Sequence, residues 1–232
     1  MYRKKATKSL GLWAIGFAWR GLTAGILLTA TLALPADRLW VGRFSQDGLE
    51  AWQEKVFDGH TAYRLVTEDG REVVRADSNG SASGLYREIK VDLDRTPYLE
   101  WSWKVAADLG SPAERTRGGD DYPARVYVIF SGGIAFWRTK TISYVWSSAQ
   151  PRGTTWSSAY TDQARMVAVR GEGAATGRWH RERRDVAADY RALFGGEAGE
   201  VDAVAVMTDT DNTGKRVTAF YGDIHFSPGT EP

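Results

Sequence analysis

Cysteine is absent from all 232 residues, so disulfides, thiolate metal ligands, cysteine nucleophiles and a lipoprotein attachment site are excluded. Histidine is nearly absent: His60, His180 and His225 stand far apart, with no metal-spaced pair. Neither a Gly-x-Ser-x-Gly elbow, a His-Glu-x-x-His helix nor a phosphate loop occurs. Acid is missing from the first 36 residues, and the first carboxylate is Asp37. Internal repeats, low-complexity tracts and linkers long enough to separate domains are lacking as well.

What the first 36 residues do contain is a basic start, Arg3, Lys4, Lys5 and Lys8, then an apolar run to Leu34 broken by Arg20. With small residues at Ala33 and Ala36, this reads as a secretory signal. The unbroken stretch, 21–34, is shorter than the roughly 20 residues that span a bilayer. Cleavage is the natural outcome, and an uncleaved anchor is the alternative that Arg20 leaves open. Residues 1–36 are therefore expected to be a signal peptide or membrane anchor, and 37–232 a single exported domain, periplasmic or tethered to the inner membrane. Without the leader's five basic residues, 25 of 30 remain against 29 acids, a net charge of −4. Such a body gives no electrostatic case for nucleic acid, and membrane contact is expected only through residues 1–36.

Beyond the leader the apolar periodicity is two. Leu99, Trp101, Trp103 and Val105 alternate with Glu100, Ser102 and Lys104, the pattern of a half-buried strand. Similar runs at 39–44, 51–57, 63–67, 72–76, 85–93, 125–130, 141–146, 165–169 and 178–186 bring the expected total to ten to twelve strands. The tail, 201–226, reads as strand, acidic turn, strand, and is expected to form an antiparallel hairpin. One helix stands out, with Asp185 as its cap, Ala187, Ala188 and Ala192 as formers, and Gly195-Gly196 as its stop. The expected fold is an all-β antiparallel jelly-roll sandwich with one short helix plugging an end.

Several segments together resemble one bacterial family. They are Leu99 to Lys104, Gly119 to Val128, Tyr144-Val145-Trp146, Trp179 to Asp185, Asp189 with Phe194-Gly195, Met207 to Thr213, and Tyr221 to Ile224. In this order they are similar to the domain of unknown function 3047 family, which implies an exported β sandwich and carries no residue roles across. The closing Tyr221-Gly222-Asp223-Ile224-His225-Phe226 also resembles carbohydrate-binding jelly rolls, a likeness of fold that does not transfer function.

Three constellations are candidates for chemistry. Asp209 and Asp211 in the acidic turn, with Asp223 on the returning strand, offer hard oxygen ligands for a structural calcium. The same Asx residues and Gly214 equally suit a turn alone. Asp120 and Asp121 precede Arg125 by five and four residues, a set that orients sugar hydroxyls or forms a buried ion pair. Trp101 and Trp103 belong to the core, whereas Trp137, Trp146 and Trp156 border Gly/Ser-rich loops, where an indole can face a sugar ring. The expected ligand-binding set is Asp120, Asp121, Arg125, Tyr144, Trp146 and Trp156. The preferred reading is a non-catalytic exported domain that binds a glycan or another cell-envelope molecule. A carbohydrate-active hydrolase or lyase using a carboxylate pair (from Glu100, Asp120, Asp121, Glu182 or Asp209) and a structural envelope protein with a protein partner are the alternatives.

Overall fold

A computed structural model describes residues 38–110, 113–130 and 139–229. The expected leader and Trp137 lie outside the described residues. Among the described residues thirteen strands form: β1 (Leu39–Gly42), β2 (Gln53–Asp58), β3 (Ala62–Glu68), β4 (Arg71–Asn79), β5 (Ala82–Val91), β6 (Tyr98–Val105), β7 (Arg125–Phe130), β8 (Lys140–Trp146), β9 (Thr155–Ser157), β10 (Ala164–Arg170), β11 (His180–Asp185), β12 (Val201–Asp209) and β13 (Arg216–Ser227). A single helical turn, α1 (Phe44–Asp47), and one longer helix, α2 (Val186–Phe194), accompany them. No helix among the described residues is long and apolar enough to cross a membrane.

The strands make two sheets packed face to face, a sandwich of the jelly-roll class. The first runs β11-β6-β13-β4-β3, with β1 sharing one flank of β13 with β4. The second runs β2-β5-β12-β7-β8-β10-β9, and its β8–β10 pair is parallel where every other pair among the described strands is antiparallel. Inward residues of β6 and β8 build the centre. Trp101 lies 5.4 Å from Trp103 and 5.5 Å from Tyr144, and Trp103 lies 6.0 Å from Trp146, ring centre to ring centre. Tilted and edge-on pairs of this kind add about 0.5–1.5 kcal/mol each beyond the area they bury. At one edge, Glu182 of β11 accepts from Trp103 Nε1 (3.0 Å) and from Arg170 Nε (2.6 Å) of β10, tying the two sheets together.

The helix forms where its cap and stop predict. The Asp185 carboxylate accepts from the Ala188 N–H (2.8 Å), and Gly195 takes φ +71 after the last turn. Tyr190 packs 4.7 Å from Phe130, so α2 closes one end of the core. Asp185→Ala is expected to cost about 1 kcal/mol of stability, read from the urea midpoint.

The tail is not a hairpin. β12 pairs with β5 and β7 in the second sheet, and β13 pairs with β1, β4 and β6 in the first. The turn between them crosses from sheet to sheet. Alternation identifies a strand but not its neighbour, and the residues at 210–215 are enough to bridge the ~10 Å between packed sheets rather than the ~4.8 Å between paired strands. A second departure is small: β9 forms inside the stretch 146–160, which reads as loop.

Candidate functional site

Arg125, the first residue of β7, projects from the outer face of the second sheet, where Asp209 ends the neighbouring β12. Its Nε donates to Asp209 Oδ1 (2.8 Å) and its Nη2 to Asp209 Oδ2, while Nη1 reaches Asp120 Oδ2 at 3.4 Å. All three residues are buried. Asp121, fully buried, accepts from the Asn212 N–H and Nδ2 (3.1 Å each) and from the Thr213 N–H (2.7 Å). Asp121 thus pins the sheet-to-sheet crossover to the loop before β7. Burial pushes the Asp209 carboxyl up to about 7, with Asp120 and Asp121 adding to the rise and Arg125 opposing it. Burial also raises Asp120 and Asp211. This is an ion-paired structural knot whose guanidinium and three of whose carboxylates, Asp120, Asp121 and Asp209, are buried.

The aromatics expected beside it divide. Tyr144 and Trp146 are fully buried between the sheets and offer no face to a ligand. Both share the inward side of β8 with Ile142, an i, i+2, i+4 pattern that is readable in the sequence and outweighs the Gly/Ser-rich flank. Trp156 is half-buried, stacked 6.4 Å from Tyr122 and covered by Arg115. Asp223 is also displaced from its expected partners. Nine residues beyond Gly214, it lies on the order of 30 Å along the strand from the turn. There it accepts from the Ser45 N–H (3.0 Å) and the Ser45 hydroxyl (2.6 Å), anchoring α1 to β13. The carboxylate that joins Asp209 and Asp211 is Asp121.

An open site lies elsewhere, on the outer face of the first sheet. A pocket of about 340 Å³ is bounded by Arg38 and Trp40 from β1 and its approach, Arg71 of β4, Glu100 and Ser102 of β6, Arg181 of β11, and Asp223 and His225 of β13. The half-buried Trp40 ring sits 4.8 Å from the His225 ring. Glu100 accepts from Ser227 Oγ (2.6 Å) and Arg183 Nε (3.3 Å); its Oε2 lies 3.7 Å from His225 Nε2. Burial would raise the Glu100 carboxyl, but Ser227, His225 and Arg183 together hold it below the usual range. Burial lowers His225, with Arg38 adding to the fall and Glu100 and Asp223 opposing it. Arg38 and Arg181 are exposed and make no hydrogen bond or ion pair among the described residues. Gly222 gives the pocket its floor: it occupies the irregularity between Tyr221 and Ile224, where an added Cβ would stand 2.3 Å from Ser102 Oγ.

Glu100 and Asp223 stand out in the sequence, but for other roles; Arg38, Arg71, Ser102, Arg181 and His225 do not, because polar positions opposite a buried stripe read as ordinary solvent-facing ones. Trp40, an aromatic in the short first run, was the one available signal. A second depression of about 420 Å³, on the outer face of the second sheet, is framed by Phe57, Tyr86, Tyr127, Ile129 and Met207. Its tyrosine hydroxyls are already engaged, Tyr86 with Gln53 and Tyr127 with Met207, so it is predominantly apolar.

Among solved structures, the chain is similar to the family 11 carbohydrate-binding module of the cellulosomal cellulase Lic26A-Cel5E of Clostridium thermocellum (10% identity, TM-score 0.49, covering 85% of this chain and 98% of that one). It is similar also to the carbohydrate recognition domain of Emp47p (12%, TM-score 0.45, 83% and 95%) and to the xyloglucanase domain of NopAA, a type three effector from Sinorhizobium fredii (11%, TM-score 0.43, 77% and 93%). Likenesses this distant, to binding domains and an enzyme alike, assign no activity to the chain. No curated protein sequence matches it. Residues 50–225 match the family described as protein of unknown function, DUF3047, and the chain belongs to that family.

Proposed function

We propose that this protein binds a saccharide in the Trp40 pocket, as an exported, non-catalytic domain. The observation that carries the reading is one indole beside two guanidinium groups that have no partner among the described residues, in a pocket of ligand size. A sugar ring is apolar on its C–H faces and polar around its rim. It therefore needs a flat aromatic surface and planar donors at the edge, which Trp40, Arg38 and Arg181 supply. Pockets for small ligands run from about 300 to 1,000 Å³, a range that includes this one. The depression around Phe57 offers a single ammonium, Lys55, where the Trp40 side has two planar guanidinium groups, which favours the Trp40 side.

Binding without hydrolysis fits the carboxylates at hand. A glycosidase acid must hold its proton near neutral pH. Of the four carboxylates lining the pocket, Glu100 is held ionised, both oxygens of Asp223 are taken by Ser45, and Glu182 accepts from Trp103 and Arg170, which leaves exposed Glu72 without an acid partner. The basic, apolar leader supports export, which would bring the domain to the cell envelope, where polysaccharides are abundant.

Affinity electrophoresis through gels containing a panel of neutral and acidic polysaccharides tests the reading. At least one polymer should retard the wild-type protein saturably; Trp40→Ala should abolish that retardation, Arg181→Ala weaken it severalfold, and Phe57→Ala leave it intact. Equal retardation of wild type and Trp40→Ala, with unchanged circular dichroism, contradicts the assignment.

A further inference from the structure

The carboxylates around the crossover are crowded beyond what Arg125 neutralises. Asp120, Asp121, Asp209 and Asp211 meet one guanidinium, leaving a local charge of about −3 when all are ionised. Asp121, Asp209 and Asp211 come from three segments, the loop before β7, the end of β12 and the turn, and each places a carboxylate oxygen within 4.8 Å of the others. Oxygens bound to one calcium at 2.3–2.6 Å lie at most about 5 Å apart across the ion, so this spread fits a shared cation.

The acceptor inventory agrees. Each carboxylate oxygen has room for two donors. Asp209 Oδ1 is filled by Arg125 Nε and the Tyr122 N–H, while Oδ2 takes only Arg125 Nη2. Asp121 Oδ1 is filled by the two Asn212 donors, while Oδ2 takes only the Thr213 N–H. Asp211 Oδ1 is buried and has no partner. Every member of the trio thus keeps an unused acceptor position. A separate sign comes from Asp120, whose side chain is more than nine-tenths buried: its Oδ2 shares the guanidinium with Asp209, and its Oδ1 is buried with no partner. A buried, unpaired carboxylate oxygen on a residue that shares one guanidinium with Asp209 is poorly explained by turn geometry, because an Asx turn satisfies its own oxygens.

We propose that Asp121, Asp209 and Asp211 bind one calcium-sized divalent cation, which clamps the sheet-to-sheet crossover onto the loop before β7. Hard oxygen ligands and the absence of His and Cys from the trio select calcium over zinc or copper. The site is separate from the Trp40 pocket and does not depend on saccharide binding.

Thermal melting of the full-length protein in EDTA and in millimolar calcium chloride tests it, with Asp211→Asn as the variant because Asp211 is the least buried of the three. In EDTA, Asp211→Asn should melt at or slightly above the wild type, since it removes a repelling charge. At a hundredfold excess of calcium over Kd the wild type should rise by roughly 5–10 °C and overtake the variant, which should not move. A calorimetric titration should give one ion per chain. A wild-type melt unmoved by calcium, or an equal rise in Asp211→Asn, overturns the proposal.

Discussion

Trp146→Ala should lower the free energy of unfolding by about 3–5 kcal/mol, the usual cost of truncating a buried indole. Domains of this size hold about 5–15 kcal/mol in all, so the loss removes about a fifth or more of the stability and about 10 °C of Tm. Trp146 is fully buried, meets Trp103 at 6.0 Å and His180 at 5.1 Å, and has no surface from which to reach a ligand. Urea unfolding should show the midpoint fall with the slope unchanged. Had Trp146 been a ligand platform, the same substitution would leave the midpoint in place and remove saccharide binding instead.

Arg125→Ala should be comparably severe, about 3–5 kcal/mol at neutral pH, because it strands Asp209 and Asp120 as buried carboxylates without their cation. Its cost should depend on pH in a definite direction. Asp209 titrates in the folded protein near 7, above its value of about 4 in an unfolded chain. A raised pKa means that folding favours the protonated form. The associated stability is fully present below about pH 4 and is lost as pH rises through about 7. Removing Arg125, which holds that rise in check, widens the window. The penalty of Arg125→Ala should therefore grow between acidic and mildly alkaline conditions, as measured by urea midpoints across that range. A penalty below about 1 kcal/mol at pH 8 would mean that the knot is not held by this pair.

Much of the sandwich was legible from residues alone. The alternation of Trp101 and Trp103 with Glu100 and Ser102 fixed a core strand, and Asp185 with Gly195 marked both ends of α2. The tail shows where that reading stops. VDAVAVM and RVTAFYGDIHF are both strands, yet nothing in a period of two says whether they pair with each other or lie in opposing sheets. The site was less legible. Arg125, Asp120 and Asp209 do converge, as buried structure, because Arg–carboxylate spacing does not reveal how much backbone will cover it. Trp146 took its expected exposure from flexible-looking neighbours after it, whereas its own face was set by Ile142 and Tyr144 before it. Trp40 and Arg181 lie far apart in sequence, and only the antiparallel order β11-β6-β13 with β1 brings them around one pocket.

The most direct test of the saccharide assignment is a crystal structure of the protein soaked with an oligosaccharide from the polymer that retards it most. Sugar rings should stack on Trp40, with hydroxyls held by Arg181 or Arg38. Rings found instead over Phe57 and Tyr127, with the Trp40 pocket empty, would contradict it.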